Sequence, residues 1–267
     1  MRVAVVGHVE WIEFLRVPSV PRPGEIVGTT ETWSEPAGGG GVAAIELARL
    51  AGEAHLYCRL GGDELGKRAR TRLEAAGVRV HSPPSEAPQR RGFCYVDENG
   101  ERTITVIGEK PHPKGDEGTV PWEELDATDG VYFTAGEPEA VRQARRARIL
   151  VATARELPTL HAAGIELDAL VASGEDEAER YQTGDLDPPP KLVVSTAGSL
   201  GGWAQPGGPY KPAEPPAPYE DAYGAGDCFA AGLTYALAQG LEVAEALAFA
   251  SERGALALTR KGAGLTE

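Results

Sequence analysis

The residues Asp221-Ala222-Tyr223-Gly224-Ala225-Gly226-Asp227-Cys228-Phe229-Ala230-Ala231-Gly232 carry the densest chemistry in the chain. Small side chains at 224–226 let a ligand approach the backbone closely. The Ala-rich apolar run that follows predicts a helix from about Gly226 to Gln239. Its first turn leaves N–H groups unpaired at the positive end of the helix dipole. That arrangement binds an anion without Lys or Arg. Asp227 then stands beside any phosphate held there, where it can take a proton from an attacking hydroxyl. An Asp at a helix start is also a favoured cap, and the local residues leave both readings open.

The run Gly38–Gly41 opens a second helical pattern, VAAIELARLAG, that stops at Gly52. Four glycines are costly to order, so a close ligand approach explains them better than a flexible turn. Two other motifs are decoys. Gly61-Gly62-Asp63-Glu64-Leu65-Gly66-Lys67-Arg68 is nearly a P-loop, but Arg replaces the metal-binding hydroxyl and two acids would repel phosphate. Gly39 to Ala44 loosely resembles a dinucleotide fingerprint, but Pro36 stands where the buried strand should end. His8, His55, His81, His112 and His161 show no metal spacing and read as structural. Arg142, Arg145, Arg146 and Arg148 read as a solvated helix face.

Short β-branched runs alternate with helical patterns. Val3–Gly7, His55–Leu60, Val78–His81, Val131–Phe133, Ile149–Ala152, Ala169–Ala172 and Leu192–Ser195 read as strands. The alternation implies an α/β fold with a mainly parallel central sheet. The extended segments near 10–35 and 90–108 do not fit it. The second holds Asp97-Glu98-Asn99-Gly100, a hairpin signal. Together they predict a small β lid on a single domain spanning 1–267.

The length suits one domain, and the composition is ordinarily globular. No run of about 18 apolar residues predicts a membrane span. The early Glu10 argues against a signal peptide. Three scattered cysteines fit neither a disulfide framework nor a zinc site. Cytoplasmic localisation is the expectation. The formal net charge of −14 argues against a nucleic-acid partner, though not against a small anionic ligand.

The 221–232 segment resembles the C-terminal signature of the ribokinase-like PfkB carbohydrate kinases, D-T-x-G-A-G-D-x-F-x-x-G. Further echoes follow in the family's order. They are Gly7 with Pro21–Glu25, Ala37–Ala44, Leu47–Leu50, Gly61–Gly66, Thr196–Gly201 and Ala255–Ala263. The resemblance implies a three-layer α/β/α sandwich and transfer of the ATP γ-phosphate to a hydroxyl of a small sugar or polyol, with Mg²⁺. It implies Asp227 as catalytic base and Gly224, Ala225 and Gly226 as the anion hole. Gly39, Gly40 and Gly41 would floor the acceptor site. Thr196, Gly198, Gly201 and Ser251 would line the nucleotide. Glu177 would act near Mg²⁺, and Asp221 would belong to a monovalent-cation (K⁺) loop.

The departures at Val42 and Ile12 concern the acceptor, and the one at Gly174 the handling of metal and phosphate. Val42, Ile12 and Gly174 stand where relatives usually carry Asn, Asp and Asn. Glu10 is a candidate replacement for the missing Asp, although a surface role suits an acid equally. Weakened polyol readout leaves room for a nucleoside stacked on Trp11, Phe14 or Trp33, or for a protein that binds without phosphorylating. An exposed lid edge would suit a homodimer.

Overall fold

The computed structural model describes residues 1–265. Chain order is β1 (Val3–Val6), β2 (Glu10–Arg16), β3 (Glu31–Ala37), α1 (Gly38–Ala51), β4 (Ala54–Tyr57), α2 (Glu64–Ala75), β5 (Val78–His81), β6 (Arg91–Val96) and β7 (Arg102–Ile107). Then come β8 (Gly130–Phe133), α3 (Pro138–Ala144), β9 (Ile149–Thr153), α4 (Leu157–Ala163), β10 (Ala169–Ser173), β11 (Val193–Thr196), β12 (Gly202–Gln205), β13 (Gly208–Tyr210), α5 (Ala225–Ala238) and α6 (Val243–Ala257).

The large sheet runs β13-β12-β11-β10-β9-β8-β1-β4-β5. It is parallel from β11 to β5, and the β12–β13 hairpin adds an antiparallel edge. Both faces are apolar because helices cover both. Val3 and Val5 of β1 point into one core with α1, α5 and α6, while Ala4 and Val6 point into the other with α3 and α4. This is the three-layer arrangement that the alternating pattern predicts.

The segments that broke the pattern form a second sheet, β3-β2-β6-β7. β2 pairs antiparallel with β3 and parallel with β6. Strand β3 begins at Glu31, later than the stretch from Glu25 expected to be extended. Its buried side chains join the core that α1, α5 and α6 share. Trp11 is buried and carries the Arg68 guanidinium of α2 on its face. Phe14 is fully buried between Trp33, stacked at 4.9 Å, and the edge of Tyr223. The three aromatic residues considered as base-stacking platforms are thus spent on packing.

The decoys resolve as loops and helix starts. Asp63 caps α2 by accepting from the Gly66 amide at 3.0 Å. Gly38–Gly41 form the first turn of α1, which leaves β3, the antiparallel edge strand of the small mixed sheet, and therefore no dinucleotide-binding βαβ unit. The arginines of 142–148 pair with acids, among them Arg145 with Asp168 at 2.7 Å and Arg146 with Asp126 at 2.5 Å. Among the described residues, no helix is long and apolar enough to cross a membrane.

Candidate active site

Helix α1 starts just beyond the C-terminal end of β1, and α5 starts against it. Their junction makes the site. Gly224 caps α5 in the left-handed region at φ 74°, and a side chain there would strike Val42 Cγ1 at 2.7 Å. Position 224 therefore needs glycine on two counts. No side chain caps α5, so its first amides stay open to a ligand. Gly226 is exposed and faces open space, and Ala225 is half-buried beside it.

Asp227 lies in that first turn, half-buried. A methyl group at Gly39 would sit 2.9 Å from Asp227 Oδ1 and 3.6 Å from His8 Cε1. Glycine at 39 is what lets the carboxylate and the imidazole share one small space. One at Gly40 would meet the His8 carbonyl oxygen at 2.6 Å, so α1 crosses the end of β1 in backbone contact. Gly41 has ordinary room. Burial pushes the Asp227 carboxyl up to about 6, and the charge of Glu179 pushes the same way against Arg102 and Arg155. Such a carboxyl is poised near neutrality for proton transfer.

Tyr223 ties these parts together. Its hydroxyl accepts from the Gly38 amide at 3.1 Å while its ring receives Phe14 of the small sheet. Asp221 is fully buried and accepts from the Tyr223 amide at 2.8 Å and the Gly262 amide at 2.9 Å. With each oxygen bound to a backbone amide, Asp221 clasps two loops together.

Glu10 is buried at the start of β2, not on the surface, and pairs with Arg90 Nε at 2.7 Å. Burial raises its carboxyl, and Arg90 and then Lys110 oppose that shift. Ile12 is fully buried and Val42 nearly so, hence neither offers the site a polar group. Gly174 follows β10 with its amide bonded to the Thr196 carbonyl at 2.8 Å.

Glu177 and Glu179 share one 3-10 turn, Glu177–Glu179. The Glu177 side chain is 84% exposed and reaches Arg180 at 3.4 Å. Glu179 is held by Arg155, whose Nε donates to it at 2.8 Å, and its charge reaches Asp227. Of these two acids, Glu179 is the less exposed, at 22% of its side chain. Thr196 ends β11 and donates to the Ala172 carbonyl at 3.3 Å. Gly198 follows at φ 50°, with the Glu175 carboxylate 3.5 Å from where its Cβ would be, and Gly201 closes that turn at φ 88°. Ser251 is buried on α6, which packs on α5.

Sequence reasoning passed over several polar groups here. His8 and His112, read as structural, each bury an unpartnered Nδ1, and Thr134 buries an unpartnered hydroxyl. Lys110 donates to the buried Glu156 at 2.8 Å. The one local signal was His8, which directly follows the glycine ending β1. His55 and His81 also meet, 2.9 Å apart and beside Glu124, but the Arg2 guanidinium bonds that carboxylate.

The family model described as pfkB family carbohydrate kinase matches residues 1–155 and 137–267. The chain is 35% identical over 149 residues to an ATP-dependent ribose-1-phosphate kinase of Halopiger xanaduensis, a match covering 52% of this chain and 47% of that protein. The chain thus spans about half the length of that curated relative. Among solved structures it resembles adenosine kinase from Sinorhizobium meliloti, with TM-score 0.79, 19% identity and coverage of 99% of this chain and 97% of the other. Ribokinase from Thermotoga maritima gives TM-score 0.74 and 21% identity, covering 99% and 95%. The fold is therefore the ribokinase fold.

Proposed function

The chain belongs to the pfkB family of carbohydrate kinases, and from that premise we propose that it transfers the γ-phosphate of ATP to a hydroxyl of a small sugar. The observation that carries this reading is the Asp227 carboxylate, raised to about 6, against the Gly39 backbone at the open N-terminus of α5.

In this reading the acceptor lies over Gly39 and Gly40, outside the C-terminal ends of the parallel strands, where open α/β sheets bind ligands. Asp227 takes the hydroxyl proton as the oxygen attacks the γ-phosphorus and the bond to the bridging oxygen breaks. The amides of Gly224, Ala225 and Gly226 bind the charge on the transferring phosphoryl group. Thr196, Gly198, Gly201 and Ser251 line the nucleotide. A carboxylate beside the phosphates suits Mg²⁺, an oxygen-seeking ion, and Glu179 would hold it together with ATP oxygens. Bound there, Mg²⁺ would neutralise phosphate charge. No step is assigned to a monovalent cation.

The small sheet acts as the lid of a single domain, excluding water when it closes. A sugar is favoured over a nucleoside because Trp11 and Phe14 are buried and the half-buried Trp33 already stacks on Phe14. Strand β7 exposes Ile104, Val106 and Ile107 at the open edge of the lid, where a second copy would pair to form a homodimer. A monomeric mass in light scattering would remove that pairing.

The test of the activity is ADP release from ATP and Mg²⁺ with a panel of sugars. Asp227→Asn should keep ATP binding and lose at least about 10²-fold in turnover, the lower range for a positioned acid–base group. Near-normal turnover in the variant would refute the assignment.

A further inference from the structure

A second cluster of chemistry-bearing side chains lies away from the junction of α1 and α5. His55 is the second residue of β4 and His81 the last of β5. Their parallel register sets His81 beside Tyr57, so the two histidines are diagonal neighbours on one face of the sheet. That face is covered by the 3-10 turn Trp122–Ala127, whose Trp122 stacks on Tyr57 at 5.0 Å. Tyr57 and Trp122 belong to the core shared with α3 and α4, opposite the one shared with α1 and α5. The same turn supplies Glu124. His55 Nδ1 is 2.9 Å from His81 Nε2 and 3.6 Å from a Glu124 carboxylate oxygen. One ligand atom from each of the three residues lies within 4.8 Å of the other two. Zinc bonds of about 2.0–2.2 Å set tetrahedral ligand atoms roughly 3.3 Å apart. The two measured edges of the triangle bracket that spacing, and a small side-chain rotation closes the third.

Both imidazoles are available as ligands. Burial, before any neighbouring charge, lowers His55 and His81 alike, His81 to about 4, so each ring is neutral at pH 7 and keeps a lone pair. A positive group already occupies the place where these acceptors converge. One terminal nitrogen of Arg2 is 3.5 Å from His55 Nδ1 and donates to the Glu124 carboxylate. Its hold is partial. Arg2 Nε is buried without a partner among the described residues, and the side chain is 32% exposed. An open depression of about 410 Å³, lined in part by Arg2, Glu53 and His55, adjoins the cluster and has room for a displaced guanidinium and for water.

We propose that His55, His81 and Glu124 form a zinc site, in which the ion displaces the Arg2 guanidinium into the adjoining depression and takes a water as its fourth ligand. Two imidazoles and one carboxylate suit Zn²⁺, whereas Mg²⁺ prefers oxygen ligands alone. A bound ion ties β4 and β5, at the edge of the large sheet, to the turn that covers them. The site is independent of the kinase reading.

The experiment takes the full chain without a histidine tag, strips it of metal, and titrates it with Zn²⁺ against a fluorescent chelator. Wild type should take up one tight equivalent. His81→Gln and Glu124→Gln should each weaken it at least about tenfold, since even the hydrogen-bond partners of metal ligands cost that much. Arg2→Gln removes the competing cation and should bind several-fold more tightly than wild type. Saturating Zn²⁺ should raise the melting temperature of wild type and leave that of His81→Gln in place. Glu124→Gln alters a half-buried side chain and answers the question alone if His81→Gln does not fold. Absence of tight uptake, or uptake unchanged in the folded His81→Gln and Glu124→Gln variants, overturns the proposal. Weaker uptake by Arg2→Gln overturns it too, because the guanidinium would then support the cluster and not compete for it.

Discussion

Asp227→Asn should cost activity and add stability, and the gain should depend on pH. The Asp227 carboxyl moves from an ordinary 3.8 to about 6 in the folded protein, mainly through burial and then through Glu179. Between those values the folded state holds a proton that the unfolded chain has released. Wild-type stability therefore falls as pH rises from about 4 to about 6, and the loss is complete above about 6. Two pKa units correspond to at most about 3 kcal/mol. Asp227 is half-buried, so solvent screening trims this to roughly 1–3 kcal/mol. Asparagine cannot ionise and escapes the loss. For a domain of this size that is a melting point roughly 2–6 °C above wild type at pH 8, converging toward wild type near pH 4.5. Thermal or urea unfolding of both proteins across pH 4.5–8 measures it. A difference that does not change with pH would refute the claim that this carboxyl is held up by its surroundings.

The same carboxyl should give kcat/KM an acid limb with an apparent pKa near 6, and a flat profile down to pH 5 would contradict it. Glu179→Gln should move that limb to lower pH, while Glu177→Gln, on an exposed side chain, should leave it in place. Gly39→Ala puts a methyl group 2.9 Å from Asp227 Oδ1 and should lower turnover by about 10²-fold, the cost of a base misplaced by roughly an ångström. An unchanged circular dichroism spectrum would separate that loss from unfolding. Cys58, Cys94 and Cys228 are buried, and burial pushes all three thiols up, Cys58 and Cys94 to about 12. Ellman's reagent should find no fast-reacting thiol in the native protein and three after guanidinium denaturation.

The Asp227 end of the site was legible in the sequence because its signal is local. A glycine cap, a carboxylate and an apolar helix occupy consecutive positions, and the α/β alternation sets the layers around them. The acceptor end was not. Arg90 and Lys110 lie just outside strands, in stretches without periodicity, and only the pairing of β2 with β6 brings Arg90 to Glu10. Away from that site, His55 and His81 become a pair only when β4 and β5 align. The family resemblance selected Glu177, whose side chain is exposed, while Glu179 of the same 3-10 turn is the less exposed acid. Trp11, Phe14 and Trp33 looked available because pattern alone does not show that the small sheet packs them into and against the core it shares with α1 and α5.

The acceptor floor on α1 belongs to the first part of the chain and the base on α5 to the last, while β1 lies inside the large sheet between β8 and β4. Neither half can assemble the chemistry by itself. Closing the distance between Gly39 and Asp227 requires most of the parallel sheet to have formed, and such non-local pairing is slow. In a newly made chain the proposed floor on α1 is therefore present before the proposed base on α5 exists to face it. In the proposed reaction activity needs both parts of the chain folded together, so it would report long-range packing more stringently than secondary structure does.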